Sequence, residues 1–138
     1  ALPSRAVLEP GIEPYWLSKL GKERSKLIFP WRSLLRAKVN LAFGSDWPSK
    51  ILNPMLGLYG AVKSGMGFEQ ALHAYQMAGA WATVEEHVKG SLREGKYADL
   101  IVLDQNIFQK KPQDFVKTSV YMTVVNGKIE FDSRGGSK

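Results

Sequence analysis

A chain of 138 residues that is 44% hydrophobic and 23% charged can bury the core of one domain or two small ones, which excludes a disordered or low-complexity class. Its 19 basic and 13 acidic residues give a net charge of +6, but the cations are spread along the chain, so we expect a solvated surface and no nucleic-acid partner. There is no cysteine, which removes disulfides and thiolate metal sites and agrees with a cytoplasmic setting.

The longest charge-free stretches, residues 51–62 and 70–84, contain Pro, Gly or polar side chains. They fall short of the roughly 18 apolar residues of a membrane span, so no membrane partner is expected. Arg5 and Glu9 interrupt any signal-peptide core, and the chain opens on Ala1, as an excised piece of a longer protein would.

Residues 1–14 hold Pro3, Pro10, Gly11 and Pro14 and read as a loop. From Tyr15 to Leu35 the apolar spacing is helical, and Gly21 and Pro30 divide it into two helices. Val39 to Gly44 carries no charge and reads as a strand. Val39, Leu41 and Phe43 share one face, while Asn40, Ala42, Gly44 and Asp46 share the other. Bulky residues on one side and small or polar ones on the other suit the wall of a barrel.

Asn53 and Pro54 are the N-cap and first residue expected of a helix that ends at the "SGMG" of residues 64–67. The spacing predicts a further helix from Phe68 to Val84, in which Ala78, Gly79 and Ala80 permit close packing. Beyond Glu86 the pattern turns to β, with strands at Ala98–Leu103, Val120–Val125 and Lys128–Phe131. Asn126-Gly127 is the hairpin turn between the last two, and residues 133–138 are a disordered tail.

The candidates for chemistry are few. The two histidines, His73 and His87, lie 14 residues apart and form neither H-x-H nor H-E-x-x-H, so each reads as a structural or surface residue. Nucleophile elbow, Walker loop and dinucleotide fingerprint are all missing. Asp99 and Asp104 bracket the strand "LIVL" and suit turn hydrogen bonding. Asp46 ends an apolar run, in "LAFGSDWP". A carboxylate at the C-terminal end of a barrel strand can ligate a cation, take a proton from the attacking water and pass it to a leaving amine. From spacing alone, an aspartate in a strand-to-helix turn is the simpler reading and the catalytic carboxylate the competing one. Trp47 and Ser45, on either side of it, are candidates for the wall of a substrate pocket.

Two motifs then converge. "FPWRSLLRAKVNLAFGSDWP" with "NPMLGLYGAV" resembles the last barrel strand and helix of the amidohydrolase superfamily, in its amidohydrolase family 3 branch. "KGSLREGKYADLIVLD" with "TVVNGKIEFD" is similar to the segment of that branch that leaves the barrel and completes a small β-sandwich. The resemblance implies an α/β chain: residues 1–87 as the C-terminal portion of a (β/α)8 TIM barrel, and residues 88–132 as strands of a composite sandwich domain. It implies a hydrolase of non-peptide C–N bonds that depends on a divalent cation, zinc above all, with Asp46 as both catalytic residue and metal ligand. Lys38 stands where the family has glycine in a tight turn.

The family's histidine ligands have no counterpart in this sequence, and a full barrel takes about 250 residues. We therefore expect a C-terminal fragment that is inactive alone. The rest of the barrel, or a second chain, would supply the histidines and the remaining walls of a site for a small amide-type substrate. The alternative is a non-catalytic binding or oligomerisation domain derived from that fold, since open strand edges favour homo-oligomers.

Overall fold

The computed structural model describes residues 12–28, 30–48 and 52–135, with helices first and a small sheet last. Helix α1 (Ile12–Ser25) is bent at Gly21, whose φ of 74° and ψ of 166° suit a residue without Cβ. The loop expected over residues 1–14 is corrected in part. Ile12 to Pro14 form the first turn of α1, where a helix tolerates the missing N–H of proline, and residues 1–11 lie outside the described residues. Pro30 then precedes α2 (Trp31–Arg36).

Helix α3 (Pro54–Lys63) begins as its residues predict. The Asn53 Oδ1 accepts the Met55 N–H at 2.9 Å, and Pro54 fills the first helical position. The single helix expected over residues 68–84 is two, α4 (Phe68–Tyr75) and α5 (Met77–Ala82), divided at Gln76 (φ −111°, ψ −89°). Neither Gly nor Pro marks this break. Tertiary packing accounts for it: α5 turns its small side against Gly90, where a Cβ would sit 2.8 Å from the Ala80 Cβ and 3.2 Å from the Met77 Sδ.

Helices α2, α3 and α5 end in the same Schellman motif. Lys38 and Val39 donate their N–H groups to the carbonyls of Leu35 and Leu34, at 2.9 and 3.0 Å. Gly65 and Met66 do so to Val62 and Ala61, at 2.9 and 3.1 Å, and Val84 and Glu85 to Trp81 and Ala80, at 3.0 and 2.9 Å. The residue after each cap is left-handed, with φ of 58° at Lys38, 93° at Gly65 and 59° at Val84. Only α3 uses glycine there.

The core is continuous from Trp31 and Phe43 through Leu58 and Ala71 to Phe115. Leu58 is 2% exposed, and burying such a side chain stabilises by about 1.5–3 kcal/mol. Helix α3 packs on α4 and on the 3-10 turn Pro112–Lys117, where Phe68 meets Phe115 with ring centroids 5.1 Å apart.

Strands β1 (Leu100–Leu103), β2 (Val120–Val125) and β3 (Lys128–Asp132) form an antiparallel sheet in that order. Asn126 (φ 49°) and Gly127 (φ 77°) make the predicted hairpin turn. Asp99 accepts the Asn126 N–H at 2.7 Å and Asp104 the Ser119 N–H at 3.0 Å, so both aspartates serve the turns as expected. Ser133 bonds back to the Tyr121 carbonyl at 2.9 Å; residues 136–138, the end of the expected tail, lie outside the described residues.

The strand expected at Val39–Gly44 is also corrected. These residues belong to no sheet among the described residues, because a strand exists only beside a ladder partner. The segment is held to α4 instead, through the Phe43 N–H on the Ala74 carbonyl at 2.9 Å.

Candidate functional site

The segment that carries Asp46 alternates only in part: Val39, expected on the packed face, is 43% exposed, and Ala42, expected on the open face, is half-buried. Phe43 is buried and Leu41 half-buried, while Asn40, Gly44 and Asp46 are exposed. Phe43 sets its depth. Its ring stands edge-on to Trp31 at 5.2 Å and to Tyr75 at 5.6 Å, so the backbone beyond it is fixed from two sides. Asp46 is left-handed, with φ 56°, a conformation aspartate tolerates better than most residues. The Trp47–Pro48 peptide bond is cis, and the Trp47 side chain is 63% exposed.

Of the two residues flanking Asp46, Ser45 lines a hollow and Trp47 does not. The hollow has a volume of about 360 Å³ and is bounded by Gly44, Ser45, Leu52, Asn53, Pro54, Gly57 and Tyr75. Tyr75 forms its inner wall. Burial pushes the Tyr75 phenol up to about 12, so it stays a neutral donor at any physiological pH. Gly57 lies so close to it that an added Cβ would be 1.7 Å from the phenol oxygen.

Neither Gly57 nor Tyr75 stands out in the sequence as a site residue. A glycine inside the helical "NPMLGLYGAV" was the available signal, since a mid-helix glycine usually has a packing reason.

His73 and His87 are both exposed. Among the described residues no three His, Asp or Glu side chains come together as a cation site. Asp46 is therefore a single donor, where a zinc site takes at least three protein ligands. No described helix is long and apolar enough to cross a membrane.

The profile of the amidohydrolase family matches residues 1–131. The chain belongs to the amidohydrolase family. It is 36% identical to the protein LONG AFTER FAR-RED 3 of Arabidopsis thaliana, over 80% of this chain and 21% of that one. It is 27% identical to the N-substituted formamide deformylase of Arthrobacter pascens, over 78% of this chain and 22% of that one. In structure it is similar to an amidohydrolase from Thermotoga maritima MSB8, with a TM-score of 0.61 and 26% identity over 73% of this chain and 25% of that chain. The likeness to this amidohydrolase agrees with an α/β fold of the TIM-barrel class, here as helices followed by a three-stranded antiparallel sheet. The chain spans about a quarter or less of the length of these relatives.

Proposed function

We propose that this chain is the C-terminal part of a metal-dependent amidohydrolase acting on non-peptide, amide-type C–N bonds, and that Asp46 is the carboxylate it gives to the active site. The observation that carries the reading is the family match over residues 1–131. It is supported by the position of Asp46 on the exposed face of a segment whose other face is packed into the core.

In this reading residues 39–46 are the last strand of the barrel, and their exposed face looks into its interior. The sheet of residues 100–132 is the chain's share of the neighbouring sandwich. The described residues do not make a cation site by themselves, so the histidines of that site come from the rest of the barrel or from a second chain. At this position the Asp46 carboxylate takes a proton from the attacking water and returns it to the nitrogen of the leaving amine.

A chimera tests the proposal. This chain replaces the matching portion of the A. pascens N-substituted formamide deformylase, and hydrolysis of an N-substituted formamide is followed with and without a chelator. Chelator-sensitive turnover that Asp46→Asn lowers by about 10²–10⁴-fold supports it. An Asp46→Asn chimera as fast as its parent would count decisively against the role of Asp46.

A second reading, a non-catalytic oligomerisation domain, draws on the edges of the sheet. β3 alternates Lys128, Glu130 and Asp132, whereas β1 is the uncharged run Leu100–Leu103. An uncharged edge invites a further strand. Under the first reading the rest of the enzyme supplies that strand, and under the second another copy does. Light scattering separates them: a monomer at high concentration removes the second reading, and a dimer broken by Ile101→Lys favours it.

A further inference from the structure

The hollow beside Asp46 has a chemical character of its own. Its walls are mainly apolar, from Leu52, Pro54, the Tyr75 ring and two glycines, and among the described residues no charged side chain lines it. The polar groups it offers are neutral: the Ser45 hydroxyl, the Asn53 amide and the Tyr75 phenol. The Asn53 Oδ1 is already taken by the Met55 N–H, which leaves its NH₂ as a donor. A cavity of about 360 Å³ falls within the range of small-molecule sites, roughly 300–1,000 Å³. Apolar walls with a few neutral donors favour a ligand that is uncharged, because a charge placed there would lose its water without gaining a partner.

The size of the hollow is fixed by one contact. Tyr75 is pinned by Phe43 on one side, with centroids 5.6 Å apart. On the other side its hydroxyl occupies the place a side chain at position 57 would take. A larger residue at Gly57 has to push the phenol into the hollow or out of it.

Resting on the hydrolase reading above, we propose that this hollow seats the uncharged, apolar substituent of an amide-type substrate, with Gly57 and Tyr75 setting its size. Tyr75 and Asn53 donate to the carbonyl oxygen of the bound amide. Ser45, which lines the hollow, is the chain neighbour of Asp46, the residue assigned the proton transfer.

The test is NMR shift mapping on the 138-residue chain with N-benzylacetamide as the probe, and benzoate and benzylammonium as charged probes of similar size. Saturable shifts centred on Leu52, Asn53, Gly57 and Tyr75 with the amide, and weaker binding of both ions, support the proposal. Tyr75→Phe should weaken amide binding roughly three- to ten-fold, the loss of one hydrogen bond. Gly57→Ala should remove most of it. Should that variant misfold, Leu52→Lys at the 64% exposed rim serves instead and should weaken binding at least about ten-fold. Shifts centred elsewhere, no saturable shifts, or ions bound as well as the amide would overturn the proposal.

Occupancy is read here without turnover. A chain that hydrolyses nothing in the chimera can still bind the amide in this hollow. Conversely, an active chimera whose chain shows no shifts at these four residues would remove the hollow and leave the role of Asp46 standing.

Discussion

Phe43 donates its backbone N–H to the carbonyl of Ala74 at 2.9 Å, and its ring stands edge-on to the neighbouring Tyr75 at 5.6 Å. Through these two contacts helix α4 holds the segment that ends in Asp46, which has no strand beside it among the described residues.

Phe43→Ala should therefore act twice. It removes a buried ring that is 8% exposed, at a cost of about 3–5 kcal/mol, and frees the turn at Asp46. Phe43→Leu should cost less and keep the turn in place. Denaturant unfolding gives the first quantity, and amide exchange at residues 44–47 the second.

The three Schellman ends form an internal comparison. Lys38→Gly and Val84→Gly should each stabilise by about 1 kcal/mol, since the left-handed backbone no longer strains against a Cβ. The gain should be larger at Val84, whose β-branch suits that region least. Gly65→Ala should destabilise, because its Cβ would also lie 2.3 Å from the Arg32 Nε, which donates to the Gly65 carbonyl. Thermal unfolding of the three variants orders them, and equal shifts at all three sites would show that left-handed strain is not the cause.

Tyr75 gives a pH signature. Its phenol is raised by burial from 10.0 to about 12, so the folded chain favours the neutral form. That contribution is whole below pH 10 and is lost as the pH rises through about 12. An absorbance titration should show a tyrosine ionisation near pH 12, and Tyr75→Phe should abolish that late step and flatten the alkaline loss of stability.

Local signals in the sequence were reliable. The Asn53-Pro54 cap, the break at Pro30 and the Asn126-Gly127 hairpin stand where their residues predict, since each depends on the backbone preferences of one or two residues. The break at Gln76 was not legible, because it comes from packing of Met77 and Ala80 against Gly90, a residue well down the chain. Val39–Gly44 kept the predicted faces only around Phe43, since Val39 is exposed and Ala42 half-buried, and it lacks the ladder, which requires a partner strand. Lys38 stands where the resemblance implies glycine, and its φ of 58° is a left-handed backbone that favours glycine. Of the candidates named from their place after an apolar run, Ser45 lines the hollow and Trp47 does not, while the role of Asp46 is the proposal itself. Tyr75 and Gly57 meet only through the packing of α3 on α4, so their spacing carried no sign of it.

The central claim is that this chain brings one carboxylate, Asp46, to a metal site completed from outside it. The zinc content of the purified 138-residue chain after dialysis tests this most directly. The account predicts far less than one zinc per chain, the same for the Asp46→Asn variant, and no hydrolysis of amides by either. One tightly held zinc per chain, lost in Asp46→Asn and accompanied by turnover, would contradict it.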